Sequence, residues 1–416
     1  MSGTSAREFR IEDFTYELPD DRIARHPLAE RDAAKLLHYH DGMIDDHHFW
    51  ELPELLPPGT LLVGNATRVI HARLHFELPN GRQIEIFCLD PLEPVDYQRN
   101  FSASGSVVWK CLVGGNRRWK DGVTATLNVP HQGDSLQLRA ERLGRTDNTF
   151  EIRFSWEGAE VAFGPLLDAA GEIPLPPYLG RDAEEDDKDR YQTVFAEIEG
   201  SVAAPTAGLH LSERLMAKMR DRNLNWGEVI LHVGAGTFKP VTSDTLGGHE
   251  MHREYFEVDL LFLERLLAQL RSGQPIVSVG TTTTRCMESI YYFGSKLAYE
   301  ADFSLPASID IGQWVATERS YELSPAEAVQ ALIDRMQVSG RKKIQGNTQL
   351  IITPDLSLRM VDGIITNFHQ PNSTLLLIVA ATVGQENWKS IYRHALTGDY
   401  RFLSYGDGSL LWKHKG

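Results

Sequence analysis

Three stretches in the second half of the chain constrain its fold most: "WGEVILHVGAGTF" (226–238), "QPIVSVGTTTTRCMESIYYF" (274–293) and "MVDGIITNFHQPNSTLLLIVAATVG" (360–384). Each carries an apolar, β-branched run that breaks off at small or polar residues, and the last two continue into helix-like text. Strands that alternate with helices predict βα units and a largely parallel sheet or barrel. In such folds functional groups collect at the C-terminal ends of the strands. The polar pentapeptide "TNFHQ" (366–370) sits at such an end, between two runs that both favour burial. Asn372 or Ser373 can cap the helix that follows, and a cap needs only one side chain. The remaining polar groups are therefore candidates for a site.

A second texture occupies residues 67–165. "VIHARLHFEL", "RQIEIFCLD", "VVWKCLVG", "VTATLNV", "SLQLRAERL" and "TFEIRFSW" are short alternating segments divided by Gly, Pro and Asp turns, the pattern of a small barrel or sandwich. The full chain of 416 residues, 42% hydrophobic, has room for two or three domains. Cys88, Cys111 and Cys286 show no CxxC spacing, so neither a disulfide framework nor a cysteine zinc site is expected. No apolar run approaches a membrane span and the N-terminal text has no apolar signal region; the reading is a cytoplasmic protein.

The net charge of −15 argues against indiscriminate nucleic-acid binding. The charge is uneven, however. "WKCLVGGNRRWK" (109–120) carries Lys110, Arg117, Arg118 and Lys120 without an acid, whereas "RDAEEDDKDR" (181–190) is mostly acidic. Charge runs usually mark solvated faces, and a local phosphate-contacting patch is the alternative for the first.

The strand-end junctions, with "SVAAPTAGLHLSERL" (201–215), supply His210, His232, Gly234, Gly236, Thr237, Thr281 to Thr284, Arg285, Asn367 and His369. Glycines admit a ligand close to the backbone, and a helix N-terminus behind threonines favours anions. Neither "GAGTF" nor "GTTTTR" matches a nucleotide-binding fingerprint. "HEMH" (249–252) lacks the spacing of a zincin helix, so no metal is expected. Histidine titrates near neutral pH and suits proton transfer. Asp407, in "YRFLSYGDGSLLW", is read either as part of a packed turn or as an orienting acid.

Taken together, "DFTYELPDDRIARHPLAERDAAKLL", "NATRVIHARL", "GEIPLPPYL", "DRYQTVFA", "APTAGLHL", "LHVGAGTFKPV", "HEMHREYFEV", "VGTTTTRCMES", "TNFHQPNSTLLLIVAATVG" and "YRFLSYGDG" resemble, in order and over nearly the whole chain, the S-adenosylmethionine:tRNA ribosyltransferase-isomerases of queuosine biosynthesis. The resemblance implies an α/β-barrel-like core domain, residues 1–66 and 166–416, with an inserted all-β barrel domain at 67–165. It also implies transfer of the ribosyl moiety of S-adenosylmethionine to 7-aminomethyl-7-deazaguanine at the tRNA wobble position. That reaction gives epoxyqueuosine and releases adenine and methionine.

On this reading His210, His232 and His369 carry the proton transfers. Gly234, Gly236, Thr237, Thr281, Thr282, Arg285, Asn367 and Asp407 bind the co-substrate, S-adenosylmethionine, and Lys110, Arg117 and Arg118 touch tRNA. Arg341, Lys342 and Lys343 are a second basic group, and a monomer is expected. The chain departs from the family pattern in its details. Ala66, His71, Leu211, Ala235 and Gln370 stand where Asp, Pro, Phe, Leu and Leu are usual, and Thr283 and Thr284 replace Ser and Val. The competing reading is therefore a same-fold enzyme that uses S-adenosylmethionine on another acceptor, and a third is a non-catalytic RNA-binding module.

Overall fold

The β-branched runs become strands and lie side by side. The computed structural model describes residues 6–131, 133–146, 148–158, 160–234, 241, 243–300 and 304–414. Strands Asn225–His232, Leu61–Asn65, Ile276–Val279 and Gly363–Asn367 are parallel neighbours in that order. The last three are buried along their whole length, which is why they read as unbroken apolar runs without alternation. Six further strands complete a mixed ten-stranded sheet. Glu254–Asp259, Lys343–Thr348 and Ile309–Ile311 extend it on one side; Gly408–Trp412, Lys35–His40 and Met43–His48 extend it on the other.

The helix Thr281–Tyr299 follows its strand after Gly280 and is buried on nearly all sides. It packs against helix Pro325–Ser339, which opens with a capping box between Ser324 and Glu327. Gly294 makes that crossing close: a Cβ there would stand 2.2 Å from the carbonyl oxygen of Ala328. Backbone cannot yield as a side-chain tip does. Gly294→Ala is therefore expected to destabilise the protein by about 1–3 kcal/mol, read as a lower denaturant midpoint with an unchanged slope.

The second texture folds as foreseen. Thr149–Ser155, Ser106–Gly114, Gln83–Glu93, Arg73–Glu77, Ala125–His131 and Asp134–Thr146 form a closed, all-antiparallel barrel. Its interior is a hydrophobic cluster of its own, built around Phe76, Trp109, Trp119, Phe150 and Phe154. Both tryptophans of the basic segment are thus core residues. The fold class is α/β with an all-β barrel. Among the described residues, no helix is long and apolar enough to cross a membrane.

One reading needs correction. The acidic run at 181–190 is not simply a solvated face, because Asp187 is 2% exposed. Its carboxylate accepts two bonds from Arg181, at 2.7 and 2.8 Å, one from the Tyr405 hydroxyl at 2.6 Å and one from the Glu184 N–H at 2.8 Å. Those bonds hold the Asp187 carboxyl below the usual carboxylate range against the opposing effect of burial. The run ties the segment after the barrel to the C-terminal loop.

Candidate functional site

A cavity opens where the parallel strands end. Val233, Gly280 to Thr282 and Thr366 to Gln370 contribute from the ends of three of them, and Ser404 and Tyr178 close one side. This is the strand-end position at which α/β folds build sites. Ser373 accepts a bond from the Leu375 N–H and caps the helix Thr374–Val383. The cap is thereby accounted for, and the other polar residues of "TNFHQ" are free to face inward.

Asn367 is 3% exposed and fixed by its neighbours. Its Nδ2 lies 3.1 Å from the Leu403 carbonyl oxygen and 3.0 Å from His210 Nε2. A carbonyl only accepts, so the amide orientation is settled by Leu403, and Nδ2 donates its other hydrogen to His210. His210 must then be a neutral imidazole with its proton on Nδ1. Burial, with Arg401 and Arg31 nearby, pushes its pKa down to about 3, in agreement. The ring stacks on Phe49 at 4.3 Å. Asn367 Oδ1, by contrast, has no hydrogen-bond partner among the described residues. A buried acceptor left bare costs about 1–3 kcal/mol, which a ligand's N–H would recover.

His369 lines the same cavity. One ring nitrogen, Nε2, sits 2.9 Å from Thr366 Oγ1. Its backbone is gripped at both ends: the N–H donates to the Tyr392 hydroxyl at 3.0 Å, and the carbonyl accepts from the Tyr16 hydroxyl. Burial alone pushes the His369 pKa down to about 3. Opposite lies the start of the helix Thr281–Tyr299. It has no side-chain cap, and its first backbone–backbone bond from an N–H is that of Thr284 to Gly280. The N–H groups before it, which have no backbone partner among the described residues, carry the positive end of the helix dipole. Thr283 and Thr284 turn their hydroxyls back to the Val279 and Gly280 carbonyls, so Thr281 and Thr282 are the two that face the cavity.

Other residues expected at the site lie elsewhere. His232 does not line this cavity. It stacks on Tyr97 of the barrel segment, with centroids 4.0 Å apart, and lines a separate cleft with Asp96, Tyr255 and Lys343. Arg285 points away, its Nη2 3.0 Å from Glu254 Oε2 and both groups almost wholly buried. Asp407 spends its oxygens on the backbone N–H groups of Lys35 and Arg401, at 2.8 and 2.7 Å, and so shapes the loop that carries Ser404. Gly234 has open space beside its Cα; Gly236 and Thr237 lie outside the described residues. Arg117 and Arg118 are exposed on the barrel, but Lys110 faces Asp90 and Glu151 on its neighbouring strands. Tyr16 and Tyr392, which hold His369, carry no chemical signature in the sequence.

Buried neutral histidines set a pH dependence, among them the three named above. Their folded pKa values, about 3 for His210 and His369 and about 4 for His232, lie below the unfolded value. Stability is therefore complete above pH ~6.5 and is lost as pH falls towards the folded values. At pH 5 each costs about 2 kcal/mol relative to pH 7.5. The denaturant midpoint should drop over that interval, and His369→Gln should lessen the drop by about one histidine's share.

Sequence comparison identifies the family. Residues 11–411 match the family model described as queuosine biosynthesis protein. The chain belongs to that family. Two curated members named S-adenosylmethionine:tRNA ribosyltransferase-isomerase, from Xanthomonas euvesicatoria pv. vesicatoria and Xanthomonas oryzae pv. oryzae, are 37% and 36% identical to it over 402 residues. In both cases the match covers 96% of each chain. A crystal structure of S-adenosylmethionine tRNA ribosyltransferase from Thermotoga maritima matches with a TM-score of 0.46 and 28% identity, over 96% of this chain and 99% of that one.

Within the family pattern, the departures fall mostly outside the cavity. Ala66 is buried at a strand end and its carbonyl accepts from the Glu197 and Ile198 N–H groups. His71 bonds the Asp168 carbonyl through Nδ1, Leu211 is core, and Ala235 lies outside the described residues. Gln370 does line the cavity.

Proposed function

We infer that the protein is an S-adenosylmethionine:tRNA ribosyltransferase-isomerase. It moves the ribosyl moiety of S-adenosylmethionine to the aminomethyl group of 7-aminomethyl-7-deazaguanine in tRNA and releases adenine and methionine. Family membership over residues 11–411 is the observation that carries this reading. The alternative acceptor has less support, because Gln370 alone among the described departures from the family pattern reaches the cavity.

The cavity suits the co-substrate at three points. Asn367 Oδ1 has no donor among the described residues, and the amino group of adenine would supply one. The N–H groups before Thr284, without a backbone partner among the described residues, suit the methionine carboxylate. Phe368 and Tyr178 offer aromatic surface to the sulfonium. S-adenosylmethionine supplies an activated ribose whose hydrogens beside sulfur are acidic. The chain must accept one of those protons and return one to the leaving adenine. His369 is neutral at pH 7, lines the cavity and is held by three neighbours; we assign it the proton transfer. His210 acts through Asn367 as a positioning residue, while His232 faces the cleft beside the barrel.

In this reading residues 1–66 and 166–416 form the co-substrate domain and 67–165 a barrel domain. Arg117 and Arg118 are the exposed cations proposed for tRNA, and the enzyme works as a monomer in the cytoplasm. Calorimetric titration with S-adenosylmethionine alone tests the cavity assignment. One equivalent should bind to the native protein, and Thr281→Pro or Asn367→Ala should weaken it at least about tenfold. Equal affinity in both variants would place the co-substrate elsewhere.

A further inference from the structure

The edge hairpin Lys35–His40 and Met43–His48 carries a cluster that the reaction does not use. In its antiparallel register His38 faces Asp45, His40 faces Met43 and Leu36 faces His47. Residues two apart on a strand share a face, as do direct cross-strand partners. His38, His40, Asp45 and His47 therefore crowd one surface. His40 Nε2 lies 3.1 Å from Asp45 Oδ2, and the His38 and His40 ring centroids are 4.5 Å apart. One ligand atom from each of His38, His40 and Asp45 falls within 4.8 Å of the others. The His47 ring is 6.0 Å from that of His38, and its Nδ1 is 3.3 Å from Glu51 Oε1. Adjacent imidazoles repel when protonated. As neutral rings beside a carboxylate they form a donor set suited to a borderline divalent ion.

We propose that this hairpin face binds a divalent transition-metal ion of the zinc class through His38, His40 and Asp45. The ion would pin the edge strand to its neighbour and leave one coordination position for water or His47. It plays no part in the chemistry of the cavity.

Trp412 provides a distinguishing test. Its indole N–H donates to His38 Nε2 at 3.1 Å, and an indole nitrogen can only donate. The neutral ring thus has its lone pair on Nε2 already engaged and its proton on Nδ1. Metal binding at His38 must break that bond, whichever nitrogen it uses. Trp412→Phe should therefore tighten binding several-fold, whereas His40→Ala and Asp45→Asn should weaken it. A hydrogen-bonded His–Asp pair with no metal function would give no such opposition.

The full-length protein, freed of metal by chelator and dialysed, would be titrated with Zn²⁺ by calorimetry at pH 7.5. One saturable equivalent is expected, with a raised thermal midpoint in its presence. His40→Ala and Asp45→Asn should each cost at least the roughly tenfold that loss of an outer-shell partner typically costs. His26→Ala, on an exposed residue paired with Glu184, should cost nothing. Absence of a saturable equivalent, or full affinity in both hairpin variants, would overturn the proposal. Weaker binding in Trp412→Phe would remove His38 and overturn the three-ligand assignment.

Discussion

Asn367→Ala is expected to lower turnover by about a thousandfold, on the scale of losing a buried polar group aimed at the reacting molecule. The expectation rests on one side chain doing two jobs. Its two N–H bonds hold His210 Nε2 and the Leu403 carbonyl, and its Oδ1, without a partner among the described residues, belongs to a residue that lines the cavity. Truncation removes the ligand contact and releases His210 together. Two acceptors are left unpaired, a stability cost of about 1–3 kcal/mol, which a domain of this size survives. Asn367→Asp separates the roles, because it keeps the shape and an acceptor but loses both donors. Adenine release measured beside circular dichroism checks this. An unaltered rate in the Ala variant would remove Asn367 from the site.

Asp187→Ala should be the most destabilising single change outside the hydrophobic cores, at about 3–5 kcal/mol. The carboxylate is almost wholly buried and accepts four bonds from three residues. Its removal deprives the Arg181 guanidinium, only 13% exposed, of its two-point partner and leaves it Glu184, 3.9 Å away and largely exposed. It also frees the Tyr405 hydroxyl, and Tyr405 is the neighbour of Ser404 at the cavity wall. The variant should unfold at lower denaturant and show weaker S-adenosylmethionine binding in proportion. Asp187→Asn, which keeps the acceptor oxygen, should recover part of the loss. A denaturation midpoint matching the native protein's would mean that the ion pair contributes nothing.

Features governed by local period were legible in the sequence. Apolar, β-branched runs marked three of the four parallel strands, Leu61–Asn65 being the one not singled out, and alternation marked all six barrel strands, because burial writes itself into the residue order. Asn367, His369, Thr281 and Thr282 do line the strand-end cavity, where polar breaks at strand ends pointed. Direction was not legible. Arg285 lies one turn after Thr281 yet faces Glu254, because the helix is buried on nearly every side and the sequence does not say which side holds the cavity. Asp407 looked like a ligand group but clamps backbone from Lys35, 372 residues away. Asp187 was hidden in a charge run because what anchors that run in the interior, the Tyr405 hydroxyl, is 218 residues distant. Tyr16 and Tyr392 hold His369 through hydroxyls that nothing in their local text distinguishes from core tyrosines.

The most direct test of the central claim is mass spectrometry of the tRNA nucleosides after incubating the purified protein with S-adenosylmethionine and tRNA carrying 7-aminomethyl-7-deazaguanine. The account predicts epoxyqueuosine, with adenine and methionine released in equal amounts. Co-substrate bound but the tRNA unmodified would contradict it and point to a different acceptor.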